Sequence, residues 1–208
     1  MPDARNGVLR ALLVYDGRWP EQLALAVEAT PRAVTRALDR LMANGLVASE
    51  AHGTFRLTDD GKAVARAQFA RDRETLGPAM VDAAWEVFPT FDDRLKLVIS
   101  DWQVREEDGQ QAPNDHTDAA YDASVLASFA ALHVDARVWL ECWAAGLPRL
   151  AVYLRRLDRA ARSVADGEMR YVASPRVDSY HAAWFELEEE VILLAGRTRV
   201  DWVAAGND

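Results

Sequence analysis

The chain has 208 residues, half of them hydrophobic and 27% charged, with a formal net charge of −9. That composition fits one large or two small folded domains and excludes a disordered or collagen-like chain. One cysteine, Cys142, excludes an intrachain disulfide and a Cys-rich zinc site, and its apolar surroundings VWLECWAAG predict a small buried side chain.

No apolar run approaches the ~20 residues that span a bilayer. The start MPDARNGVLR lacks the basic and apolar segments of a secretory signal, so a cytoplasmic protein without membrane contact is expected. The charge is unevenly spread. Residues 1–75 carry eleven Arg and Lys against ten Asp and Glu, whereas residues 76–208 carry thirteen against twenty-three. The near-neutral part can turn its arginines toward phosphate, and the acidic part cannot.

Taken in chain order, residues 5–16 place Val8, Leu9, Leu12 and Leu13 on one helical stripe, which DGRW ends. Pro20 suits the first turn of a short second helix with Leu23, Ala24 and Val27 facing inward. Thr30-Pro31 is a strong start signal: the hydroxyl accepts from an orphan N–H and proline fits the first turn. A third helix from Pro31 should stop at Asn44-Gly45, a left-handed cap. LVASE and TFRLT then read as two short strands joined by Ala51-His52-Gly53, and a fourth helix runs from Thr58-Asp59 to about Glu74.

Leu76-Gly77-Pro78 marks the boundary between a first domain, 1–75, and a second, 79–208. In the second, Pro89 should interrupt the helix begun at 79, with a new one from Thr90 to about Glu106. EEDGQQAPND reads as a polar loop. A long helix is expected over 117–145, another from Pro148 to Val164, and a last one from the Ser174-Pro175 start to about Gly196. The acidic run Glu188-Glu189-Glu190 reads as a solvated face.

Three helices followed by a two-stranded hairpin and a further helix make a winged helix-turn-helix. The fold class expected is thus mainly α: an N-terminal winged helix followed by an all-α helical bundle. In the helix-turn-helix scheme the second helix of the pair lies in the major groove. Here that helix is TPRAVTRALDRLMANG. Val34, Ala37, Leu38 and Leu41 face the core, which leaves Arg32, Thr35, Arg36, Asp39 and Arg40 outward. Arg32 and Arg36 can clamp guanine or grip phosphate, Thr35 can meet phosphate or a thymine methyl, and Arg40 can meet phosphate. His52 and Arg56 on the hairpin can approach the backbone or minor groove.

The stretch from Thr30 through Ala65 resembles the DNA-binding core of MarR-type bacterial regulators. Leu57, Thr58 and Gly61 match the "LT..G" element that leads the return strand of the wing into the next helix in that group. The hairpin here is short, without the Asp-x-Arg element of longer MarR-type wings, and no dimerisation helix precedes the first core helix. The resemblance implies the DNA-binding module alone. A homodimer held by the C-terminal helices on a palindromic site is the expected assembly, since one winged helix has limited affinity.

Six of the seven tryptophans fall in 79–208. On the last helix Val177, Tyr180, Trp184, Leu187 and Val191 form an apolar stripe, with Asp178 spaced to bond His181 as a satisfied core pair. A small-molecule effector pocket is the functional alternative. Its lining would be Trp102, Arg105, His116, Arg176, Asp178, Tyr180, His181 and Trp184. Neither a cofactor nor a metal site is expected, although His116, Asp118, Asp178 and His181 offer ligand types. Nor is catalysis: no phosphate-cradling glycine loop, G-x-S-x-G or H-E-x-x-H occurs. The competing readings are a winged-helix adaptor that binds protein, which predicts no salt-dependent DNA affinity, and an enzyme or metal protein in the second domain.

Overall fold

The computed structural model describes residues 4–107 and 110–206, and the chain is mainly helical. It forms two compact units, one of Met1–Asp82 with Glu189–Asp208 and one of Ala83–Glu188.

The first unit begins with α1 (Ala4–Val14), α2 (Pro20–Ala26) and α3 (Pro31–Ala43). Val8, Leu9 and Leu12 of α1, Leu23 of α2 and Val34, Leu38 and Leu41 of α3 are buried together, so one apolar stripe from each helix builds a shared core. The α2–α3 turn is a Schellman closure: Ala29 N donates to Ala24 O at 3.0 Å and Glu28 N to Leu25 O at 3.3 Å. Glu28 occupies the left-handed position there, with φ 47°. Thr30 caps α3, its hydroxyl oxygen accepting from Ala33 N at 3.3 Å. The stop expected at Asn44-Gly45 is present, with Gly45 at φ 69° and Leu46 N donating to Leu41 O at 2.9 Å.

Strands β1 (Val47–Ser49) and β2 (Phe55–Leu57) pair antiparallel with Val47 opposite Leu57, joined by a short 3-10 turn over Ala51–Gly53. Phe55 N also donates to Arg18 O at 3.0 Å, so the segment before α2 adds a bridge to this ribbon. Next, α4 (Asp59–Leu76) starts on Thr58. The Thr58 hydroxyl accepts from Gly61 N at 3.1 Å and donates to Gly45 O at 2.7 Å, while Thr58 N donates to Leu46 O at 3.1 Å. One residue therefore caps α4, closes the ribbon and ties both to the end of α3. A methyl group on Gly61 would fall on the Leu46 carbonyl, 2.9 Å from its carbon and closer still to its oxygen. Close backbone approach, rather than turn geometry, requires glycine there.

Then come α5 (Pro78–Gln103), β3 (Val104–Glu107), β4 (Gln110–Pro113), α6 (Ala119–Gly146), a 3-10 turn at Pro148–Leu150, α7 (Ala151–Ala165), α8 (Arg170–Ala173), α9 (Tyr180–Leu194) and α10 (Arg199–Ala204). The aromatic core of the second unit stacks Trp184 on Phe88, ring centroids 5.1 Å apart, with Trp139 5.5 Å from Phe88 and Phe129 edge-on to Tyr180 at 4.8 Å. Trp184 Nε1 donates to the buried carboxylate of Asp92 at 2.9 Å.

Several expectations need correction. Pro89 lies inside α5 without ending it, and the helix runs on to Gln103. The second region is not all-α: eight residues, from the end of the preceding helix and the expected polar loop, pair as β3 and β4, Val104 opposite Pro113. The last long helix begins at Tyr180 rather than after Ser174-Pro175, because fully buried Ser179 supplies the cap, accepting from Ala182 N at 3.2 Å. That helix also ends at Leu194, and Thr198 caps a further helix, α10. Glu188 and Glu190 are buried, at 8% and 2% exposure, so the acidic run is not a solvated face.

Cys142 is exposed, since it lies on the side of α6 opposite the buried Phe129, Leu132 and Leu140. The helix α6 is also apolar and long enough, by composition, to cross a bilayer, contrary to the expectation that no stretch would be. Residues 189–208, expected in the second domain, belong to the first unit. Arg73 Nη1 on α4 donates to Ala195 O at 3.2 Å across that joint.

Candidate functional site

Two arrangements of polar side chains stand out, one in each unit. In the first, α3 buries Val34, Ala37, Leu38 and Leu41 and exposes Arg32, Thr35, Arg36, Asp39 and Arg40. Residues three and four apart are neighbours on a helix, so these five share one solvent face about 12 Å long. Thr35 directs its hydroxyl back to Pro31 O at 3.0 Å. Among the described residues, Arg32, Arg36 and Arg40 make no ion pair. Three unneutralised guanidiniums therefore stand on a face held rigid by the cap at Thr30 and the stop at Gly45. Asp39 is the one carboxylate among them.

The hairpin residues behave differently from one another. His52 is exposed at the tip with φ 71°, a left-handed conformation. Arg56 on β2 is exposed and pairs with Glu50 at 3.0 Å across the ribbon, so part of its charge is spent locally. Gly53 at the tip packs under the ring of Trp19, where a Cβ would lie 3.2 Å from Cζ3.

In the second unit the eight residues expected to line one pocket fall into separate environments. Trp102, Arg105 and His116 share a corner. The Trp102 and His116 rings are 4.4 Å apart, and Arg105 Nη2 lies 3.4 Å from Asp115 Oδ1. His116 Nδ1 sits 3.1 Å from Asp122 Oδ2 and 3.3 Å from Asn114 Nδ2, with its backbone at φ 58°. Hydrogen bonds from Thr117, side chain first and then backbone, hold Asp115 below the usual carboxylate range, with Arg105 adding to them.

The expected Asp178–His181 pair does not form. His181 is exposed, and Asp178 bonds Arg156 instead, Oδ1 accepting from Nη2 at 2.7 Å and from Nε at 3.0 Å. Arg156 is 2% exposed and also reaches Glu186 through Nη1 at 2.7 Å and Nη2 at 2.9 Å. Burial alone pulls its guanidinium pKa down, but the two bidentate carboxylates, Glu186 foremost, outweigh burial and hold it above the ordinary value. Arg176 is exposed, while Tyr180 and Trp184 are core residues at 0% and 1% exposure. Burial, reinforced by Asp158, raises the Tyr180 phenol. These five therefore do not converge on a ligand as the sequence pattern implied.

Arg156 escaped sequence reading because one of the four arginines in LRRLDRAAR gives no sign that two distant carboxylates enclose it. The same holds for His133, whose Nε2 lies 3.3 Å from Asp158 Oδ1 and whose pKa burial lowers against the opposing pull of that carboxylate. Among the described residues, no group of three or more His, Cys, Asp or Glu is placed to hold a metal ion. No known protein family, curated protein or solved structure matches this chain.

Proposed function

We propose that the first unit is a winged helix-turn-helix and that the protein is a sequence-specific, double-stranded-DNA-binding transcriptional regulator acting as a homodimer. In this reading α2 and α3 are the helix pair, α3 enters the major groove, and β1–β2 is the wing. The observation that carries it is the exposed face of α3, where Arg32, Arg36 and Arg40 stand without ion-pair partners. The three arginines span about 12 Å of a 13-residue helix about 20 Å long, which fits a groove roughly 12 Å wide. Arg32 and Arg36, nearest the helix start, read guanine edges or grip phosphate. Arg40 holds phosphate, and His52 and Arg56 touch the flanking backbone.

Support for the module comes also from Thr58 and Gly61. Their bonds and close packing give a physical reason for the "LT..G" element, since the wing, α3 and α4 meet at those two residues. The second unit is then the regulatory part. Its corner of Trp102, Arg105 and His116 is the better placed of the two residue groups for a small-molecule effector, because exposed His116 stands on an aromatic ring with the half-buried Arg105 nearby.

The test is selection of duplexes by the full-length protein from a random-sequence library, followed by anisotropy of the winner across a salt series. Enrichment of one palindromic sequence whose affinity falls steeply with salt supports the reading. No enrichment, with binding no stronger than to random duplex, overturns it in favour of a protein-binding module.

A further inference from the structure

A 28-residue helix, α6 buries one face (Val125, Phe129, Leu132, Ala136, Leu140 and Trp143) and exposes the other. That exposed face is itself apolar. Ala123, Ala127, Ala130, Val134, Val138 and Ala145 lie along it, with Val134 at 61% and Val138 at 59% exposure, and Glu141 is its one charged member. Six of its 28 residues are buried, which is little for so apolar a segment. Leu97 on α5, 63% exposed, stands one turn beyond Arg94, which bonds Asp135 of α6 at 2.8 Å.

We infer that this face is covered by a second copy of the chain, α6 packing antiparallel on its two-fold mate about Val134. Three features select a self-interaction. First, with Glu141 included, the spacing along the face is 4-3-4-4-3-4, symmetric about Val134. A two-fold axis there sets Ala123 level with the partner's Ala145 and Ala130 level with the partner's Val138. An isologous contact needs this kind of self-matching.

Second, the charges in and beside the face are paired, in a chain of net charge −9: Arg94 with Asp135 on one edge, and Arg137 on the other edge with Glu141 of the face at 2.9 Å and with Asp158 at 3.5 Å. Two acidic molecules can meet there without repulsion, with an apolar centre and a polar rim. Third, the strip runs about 33 Å from Ala123 to Ala145, long enough for an extended helix-on-helix contact. Its alanines let the helix axes come close. This deepens the homodimer part of the proposed function and rests on it, but not on DNA binding.

The test uses full-length protein in sedimentation equilibrium at micromolar concentration, with Val134→Glu as the variant. The substituted side chain is already exposed, and a thermal melt verifies that the fold survives. Twice the chain mass of 23.1 kDa for wild type, falling to the single-chain mass in V134E, supports the interface. A nitroxide on Cys142, the sole cysteine, adds a readout that needs no mutation. Antiparallel pairing about Val134 sets the two labels about 24 Å apart along the helix, whereas parallel pairing sets them side by side.

Overturning results are a wild-type monomer, a V134E dimer, side-by-side labels, or monomers that instead co-sediment with phosphatidylcholine vesicles. A dimer that binds no DNA overturns the regulator reading and leaves this interface standing.

Discussion

Replacing Gly61 by alanine pits two effects of opposite sign at one atom. Alanine in a helix is favoured over glycine by about 1 kcal/mol, so propensity alone predicts stabilisation. Against this, the added methyl would lie 2.9 Å from the Leu46 carbonyl carbon and inside contact with its oxygen, a backbone group that cannot rotate away. Overpacking of that kind costs about 2 kcal/mol. Relief requires α4 to separate from the start of β1, which strains Thr58 N to Leu46 O and Thr58 Oγ1 to Gly45 O, now 3.1 and 2.7 Å. Losing one of these adds about 1 kcal/mol. The net is a destabilisation of about 2 kcal/mol, or roughly 10 °C in Tm for a unit of this size. Circular dichroism melts of the full-length pair measure it. A Gly61→Ala protein melting at or above wild type would refute the claim that close approach, and not turn geometry, places glycine here.

Three further outcomes follow from the same structure. Arg156→Met leaves the carboxylates of Asp178 and Glu186 enclosed without their cation and should lose about 3–5 kcal/mol in urea titration, while adding Asp178→Asn and Glu186→Gln should recover most of it. Burial depresses His133, so below pH ~6.5 the unfolded chain takes up a proton that the folded chain does not. Stability therefore falls as acid is added through that window, and a His133→Asn variant should show a shallower fall; equal slopes would remove His133 from the account. Glu28→Gly relieves a non-glycine residue at φ 47° and should raise stability by about 0.5–1 kcal/mol after glycine's own entropy cost, read by the same melts.

Local signals in the sequence were the legible ones. Thr30-Pro31, Asn44-Gly45 and Thr58 each cap through hydrogen bonds within a few residues, Thr58 through Gly61 N, and each ends or begins an element where the pattern placed it. Face assignments on α3 were legible for the same reason, since Val34, Leu38 and Leu41 repeat at the helical period. Long-range partners decided what was not legible. Asp178 turns to Arg156, 22 positions away, rather than to His181 three positions on. Glu188 and Glu190 are buried and Cys142 exposed, because tertiary packing, and not composition, selects which side of a helix meets the core. Ser179 outcompetes Ser174 as a cap although Ser174 has the adjoining proline. The eight residues grouped as one pocket share aromatic and charged character, yet the fold sends Tyr180 and Trp184 into the core and leaves Arg176 and His181 at the surface.

For the proposed reading of DNA by the unpaired arginines of α3, the decisive quantity is the slope of log affinity against log salt. Each phosphate contact contributes about −0.9 to that slope on B-DNA. On the selected duplex, Arg40→Ala should reduce the slope by about 1 and weaken binding to all sequences alike, and Arg32→Ala/Arg36→Ala should abolish the preference for the selected sequence over random duplex. Unchanged slope and unchanged preference in these variants would contradict the account, because DNA would then be held by some surface other than α3.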